Sequence, residues 1–243
     1  MYEKVPANLD FVSREKAIEA FWKENRIFEK SMEMRKKIME ATEHLILTKG
    51  YFHTNIKEIA EHLNIPRSLI YYYFSNKEDL MHEITEEHYR ALEQRVDEII
   101  SQGENPLVRV VVRNLLFFRN IAWNPILTEY IVSNVDYPSK GGESASAWIE
   151  RYYADSEAFF KEYGMSVDSN RFRVHVLMTE VVWKALVTGV YYKTVDLTER
   201  EMMEYYLERT VMITFGMSRE KIEALLEEAY ALVDRDVPAP ASL

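Results

Sequence analysis

From Arg67 to Lys77 the chain reads Arg67-Ser68-Leu69-Ile70-Tyr71-Tyr72-Tyr73-Phe74-Ser75-Asn76-Lys77, a dense run of guanidinium, hydroxyl and ammonium groups. Hydroxyls and a lysine donate to phosphate oxygens, and an arginine can reach a base edge. A helix turns about 100° per residue, so three consecutive tyrosines cannot all be buried. At least one hydroxyl must face outward. Ser68 adds a short hydroxyl, while Leu69 offers apolar contact to a thymine methyl or packs inward. Lys77 stands at the start of a further helix, whose free amides also attract phosphate. Read singly, Tyr71 to Phe74 would be core aromatics; the ordered combination points to DNA.

Other chemistries find less support. The chain has no Cys, which excludes disulfides, thiolate zinc sites and cysteine nucleophiles. His82 and Glu86 share a helix face at i, i+4, but two ligands do not make a metal site, and a solvated helix accounts for them. There is no Ser-His-Asp pattern and no glycine-rich phosphate loop. No enzyme, cofactor or metal is therefore expected.

Net charge is −10, from 30 basic and 40 acidic residues. Residues 1–30 hold six of each sign and residues 31–80 seven of each, so the whole acidic excess lies in residues 81–243. A neutral N-terminal third can still gather cations on one face, while an acidic body suppresses loose DNA binding. Neither a signal-peptide layout nor a run of about 18 apolar residues is apparent, and a cytoplasmic protein is expected.

The elements that must position the Arg67–Lys77 run are helical. Hydrophobic residues make up 47% of the chain and only 7 Gly and 7 Pro interrupt it, which leaves room for long helices around a sizeable core. A helix is expected over residues 13–30, with Ala17, Ile18, Phe21 and Trp22 on one side. A second is expected over 32–49, where Met34, Ile38, Ala41 and Leu45 step along one face and Gly50 ends the helix. Thr54 then precedes a capped short helix with Ile56, Ile59, Ala60 and Leu63 inward. Asn64 suits a left-handed turn and Pro66 the first position of the next short helix, which buries Ile70 and Phe74. Ser75 or Asn76 caps a long helix to about residue 101. Further helices are expected over 106–121, 124–135, 144–163, 168–192, 198–215 and 218–233, with a loop at 136–142 and a stop at Gly216 before Ser218.

Two short helices joined by a tight turn and packed on a longer one make a helix-turn-helix. Residues 54–60 and 64–80, from Thr54-Asn55-Ile56-Lys57-Glu58-Ile59-Ala60 to Ser75-Asn76-Lys77-Glu78-Asp79-Leu80, resemble the signature of the TetR family. The resemblance implies an all-α fold, a two-fold dimer, a recognition helix in the major groove and a divergent C-terminal body. It also implies DNA contacts from Thr54, Tyr72 and Lys77. The family often has Gly or Ala where Ser68 stands, and Thr or Ser where Leu69 stands, which bears on the operator sequence. The expected division is an N-terminal extension at 1–31, a DNA-binding domain at 32–80 and a regulatory and dimerisation domain at 81–243.

In the body, Val174, Leu177, Met178, Val181, Val182, Ala185 and Gly189 form a broad apolar face, the expected dimer interface. Phe117, Phe118, Trp123, Tyr130, Tyr152, Tyr153 and Trp183 are candidates for lining a pocket for an apolar or aromatic effector; each alone would be ordinary core. Glu129 and Glu180 could balance a cationic ligand, although surface carboxylates are the simpler reading. A ligand-released repressor is the leading expectation. A TetR-fold protein controlled by a protein partner, or organising DNA without an effector, is the second.

Phe11-Val12-Ser13-Arg14-Glu15-Lys16 and Phe21-Trp22-Lys23-Glu24-Asn25-Arg26-Ile27-Phe28-Glu29-Lys30-Ser31 resemble the N-terminal segment of isoleucyl-tRNA synthetases over about 25 residues. The synthetase ATP-site motifs are absent, so the expected role is structural, with Trp22 and Phe21 docked and Trp22 largely buried.

Overall fold

The computed structural model describes residues 11–24, 26–100, 105–122, 124–133, 160–161, 164, 166 and 170–235. All regular structure among them is helical. The chain runs α1 (Phe11–Glu24), α2 (Ile27–Lys49), α3 (Ile56–Leu63), α4 (Arg67–Tyr73), α5 (Lys77–Ile99), α6 (Pro106–Phe117) and α7 (Thr128–Ser133). It continues with α8 (Asn170–Tyr191), α9 (Glu199–Leu207) and α10 (Arg219–Arg235). Wider π-helical turns extend α6 through Phe118–Ala122 and α9 through Glu208–Met212, the latter followed by Ile213–Phe215.

Helix ends fall where the local chemistry requires. Asn55 and Glu58 form a reciprocal capping box at the start of α3, and Asn76 accepts from the Asp79 N–H at the start of α5. Asn64 adopts the left-handed conformation at φ 53°, as its short amide side chain allows. Gly216 takes φ 65° and Ser218 accepts from the Lys221 N–H, so the expected stop and fresh start are both present.

Helices α2 to α5 pack around Ile38, Ile59, Ile70, Phe74 and Leu80, each no more than 1% exposed. In the body, α6 packs against α5 and α10 through Leu107, Val108, Val111, Val112 and Leu115. Arg113, almost wholly buried on α6, forks onto Glu93 of α5 at 2.8 and 3.1 Å. A buried guanidinium needs such pairing to offset its desolvation. Farther along, Arg119 bridges Glu199 of α9 and Asp234 of α10.

Three expectations need correction. The leader is not one helix over residues 13–30: Arg26 takes the left-handed conformation at φ 49° and divides it, so α2 starts at Ile27 instead of residue 32. Trp22 is not largely buried; Trp22 is 48% and Phe21 55% exposed, with Phe28 meeting Trp22 at 6.4 Å between ring centroids. The left-handed residue lets α1 touch α2 while Phe21 and Trp22 stay about half exposed. Deleting residues 1–25 should therefore lower the melting temperature by no more than about 2–4 °C, the equivalent of roughly 1 kcal/mol. A larger loss in a thermal melt would mean that the leader docks more deeply than half-exposed Trp22 allows.

The third correction concerns α8, which is long and apolar enough to cross a bilayer by length and composition. Its periodicity gives another account. Phe172, His175, Thr179, Trp183 and Val187 are buried, while Val174, Leu177, Met178 and Val181 are exposed. One face is seated in the core and the opposite face is bare. The expected helix at 144–163 and the loop at 136–142 lie outside the described residues, except for helical Phe160 and Lys161.

Candidate nucleic-acid interface

The seven-residue helix α4 presents two faces. Ile70 and, just past its end, Phe74 are fully buried, whereas Arg67, Ser68, Tyr71 and Tyr72 are exposed. Tyr72 is 78% and Tyr71 54% exposed; Tyr73 is half-buried and meets Tyr72 edge-on at 5.0 Å. Leu69 is half-buried, which suits packing at the rim of the unit. The outward face therefore offers a guanidinium and three hydroxyls, the donor set that phosphate and base edges accept.

Thr54 and Lys77 are placed differently from these. Thr54 is buried, its hydroxyl donating to the Gly50 carbonyl at 2.9 Å and its N–H to that of Tyr51 at 3.2 Å. It closes the α2–α3 turn. Lys77 is half-buried; its Nζ lies 3.5 Å from the Tyr51 ring centroid and donates to the Tyr51 carbonyl at 2.5 Å. Burial there holds the ammonium pKa below its ordinary value, against the opposing pull of Glu78, Glu129 and Glu58. An ammonium has three N–H donors, so a phosphate would have to share Lys77 with that carbonyl or displace it.

Sequence reasoning missed Arg35. From α2 its guanidinium forks onto both carboxylate oxygens of Glu83 on α5 and reaches the Tyr73 carbonyl at 3.4 Å. It also lies 4.7 Å above the Phe74 ring. The hydrogen bonds to Glu83 raise its pKa above the usual arginine value, against desolvation. One side chain thus ties the end of α4 to α2 and α5, satisfying a terminal carbonyl that the helix leaves open. No periodicity signals it, since its partner lies 48 residues away.

Of the expected pocket residues, Phe117, Phe118 and Trp183 come together, with Phe117 centroids 5.6 Å from Phe118 and 5.0 Å from Trp183. Tyr130 packs its ring on Tyr51 of the α2–α3 turn at 5.6 Å. Trp123, Tyr152 and Tyr153, and the side chain of Glu180, lie outside the described residues. Glu129 is half-buried rather than a surface carboxylate, and accepts the Tyr51 N–H at 2.6 Å. His82 and Glu86 are half-buried on α5, and no metal-binding cluster is found among the described residues.

Of the expected interface residues, Val174, Leu177, Met178 and Val181 are between 39% and 57% exposed, and Ala185 is exposed beside them. Val182 and Gly189 are half-buried. The space that Gly189 leaves is taken within the chain: a Cβ there would stand 3.0 Å from Val195. An open cavity of about 390 Å³ runs beside the same stripe, lined by Val174, His175, Met178 and Thr214.

A capped helix-turn-helix with an outward donor face, mounted on an all-helical body, defines a DNA-binding class of fold. Residues 38–84 match the family model of bacterial regulatory proteins of the tetR family. Over 77 residues the chain is 31% identical to an HTH-type transcriptional regulator of the lacX 3′ region of Lactococcus lactis subsp. lactis, covering 31% of this chain and 39% of that protein. Over 70 residues it is 30% identical to the HTH-type transcriptional repressor NemR of Escherichia coli strain K12, covering 29% and 35%. The chain thus spans little more than a third of the length of these relatives. The structure of RolR in complex with resorcinol shares the fold, with a TM-score of 0.58 and 15% identity over 86% of this chain and 97% of that one. Residues 38–84 thus form a DNA-binding domain of the kind found in the tetR family of bacterial regulatory proteins.

Proposed function

We propose that the protein is a cytoplasmic transcriptional repressor that binds a palindromic operator as a homodimer and is released by a small apolar or aromatic effector. The observation that carries this reading is the two-faced α4, with Ile70 fully buried and Arg67, Tyr71 and Tyr72 exposed. Residues 32–80 act as the DNA-binding domain, residues 81–243 as the regulatory and dimerisation domain, and residues 1–31 as an appended arm. Two copies joined along the bare face of α8 would present their recognition helices to half-sites about 34 Å apart. Arg67 and Tyr71 would read bases, while Ser68, Tyr72 and Tyr73 would hold phosphates beside Leu69. Lys77 would add a phosphate contact, and Thr54 would shape the turn.

The aromatic group at Phe117 supports an apolar or aromatic effector, in a fold that in RolR holds resorcinol. The edge-on packing of Phe118 and Trp183 around Phe117 favours, as a second reading, a filled core and control by a protein partner.

The test is selection of a duplex from random DNA by the full-length protein, followed by binding across a salt series. Replacing Lys77 with alanine should weaken binding to all sequences alike and flatten the salt dependence by about one unit of slope. Arg67→Ala and Tyr71→Phe should change which sequences are preferred. Isotherms for Lys77→Ala that overlay the wild type would remove this ammonium from the interface; failure to select any duplex would overturn the reading as a whole.

A further inference from the structure

Glu129 belongs to the body, on α7, yet its carboxylate is spent on the DNA-binding unit. One oxygen accepts the Tyr51 N–H at 2.6 Å; the other accepts the hydroxyl of Tyr191, at the end of α8, at 3.3 Å. Room for the carboxylate comes from Gly50, where a Cβ would meet the nearer oxygen at 3.1 Å. On the far side of the same residue, the Tyr51 carbonyl takes Lys77 Nζ at 2.5 Å, and the Tyr51 ring lies between Lys77 and Tyr130. The α2–α3 turn is thus held through its N–H, its carbonyl and its ring. Helix α5 supplies a continuous connection to the body, and Glu129 adds a non-covalent one that leads directly to α8. The Glu129 side chain thus ties the turn to α8 through two hydrogen bonds.

We infer that Glu129 is the positioning residue that fixes each DNA-binding unit relative to α8, and so sets the spacing of half-sites that the protein accepts. The inference rests on the homodimer reading above. Helix α8 carries the bare face through which two copies would join, and Tyr191 lies at its end. The path from the dimer helix to the recognition helix then runs through Tyr191, Glu129, the Tyr51 turn and α3. If the carboxylate is lost, the turn keeps its Tyr51–Tyr130 ring contact but loses its hydrogen-bonded tie to α8, and each DNA-binding unit can swing on α5. Contacts to one half-site survive, while the pair no longer prefers a fixed separation.

The experiment uses the full-length protein and a duplex selected by the wild type, together with two derivatives: one with a single base pair added between the half-sites, and one with only one half-site intact. Adding a base pair turns one half-site by about 35° and lengthens the gap. Glu129→Ala should bind the selected duplex about tenfold more weakly, while losing most of the wild type's discrimination against the lengthened one. Binding to the single half-site and the mass of the dimer should not change, which a general loss of structure would not allow. Tyr191→Phe, which removes one hydroxyl and keeps the ring, should show a smaller effect in the same direction and add little to Glu129→Ala. Unaltered spacing preference in both variants would overturn the inference and leave the homodimer reading standing, as would a parallel fall in half-site binding. A wild type that does not discriminate between spacings would instead overturn the two-half-site reading, and the inference with it.

Discussion

Phe74→Ala is expected to destabilise the DNA-binding unit by about 3–5 kcal/mol, the range for truncating a fully buried aromatic, and to abolish sequence-specific DNA binding. Phe74 is 1% exposed and stands immediately after α4, with its N–H on the Ile70 carbonyl at 2.9 Å. The Arg35 guanidinium covers its ring at 4.7 Å. Truncation would remove the ring that seats the end of α4, and would leave a cavity beneath the guanidinium. Because Arg35 also reaches the Tyr73 carbonyl, the loss is structural and directional at once: α4 would be free to tilt. Tyr73→Phe, at a half-buried neighbour, is the matched control for stability alone and should change it by less than about 1 kcal/mol. Urea unfolding followed beside DNA binding would check both. A Phe74→Ala protein that unfolds at the wild-type midpoint would show that the ring does not seat the helix.

The second large effect concerns the bare face of α8. Placing carboxylates there with the double substitution Leu177→Glu, Val181→Glu should convert a dimer into a 28.8 kDa monomer. Both positions are exposed in the single chain, at 39% and 42%, so the substitutions should not disturb its core. In a joined pair they would bury four like charges, each costing several kcal/mol without a partner. The binding energy of the second half-site would go with the dimer, so affinity for the selected duplex should fall by about 100-fold or more. Light scattering and a binding titration suffice. A wild type that is itself monomeric at micromolar concentration, or a double variant that remains dimeric, would place the interface elsewhere.

The DNA-binding unit was legible in the sequence because its determinants are local. Caps, a left-handed turn residue and a short hydrophobic period act over fewer than ten residues, and Asn55, Asn64 and Asn76 end up performing those tasks. The leader shows the limit of the same reasoning. Its apolar residues suggested a docked helix, but the left-handed Arg26, which has no compositional signature, turns α1 aside. Long-range partners were illegible for a different reason. Nothing around Glu129 predicts a bond to a backbone N–H 78 residues earlier, nor does Arg35 announce its carboxylate on α5. The apolar periodicity of α8 was visible, but it does not say which side enters the core. The buried Phe172, His175 and Trp183 decide that.

His175 shows how firmly that inner side is seated. It is 3% exposed between the rings of Phe160 and Phe215, and desolvation depresses its pKa to about 4. The imidazole is therefore neutral in the folded chain at physiological pH.

The two-sidedness of α8 also bears on what a melting temperature means for this protein. In the proposed homodimer, a helix with only one side satisfied within its own chain would take the rest of its stability from the second copy, and mass action would then make that stability depend on protein concentration. Folding and assembly would then be linked equilibria: dilution would loosen the pair first and lower the unfolding temperature in step. A single number quoted without a protomer concentration would describe the solution as much as the molecule.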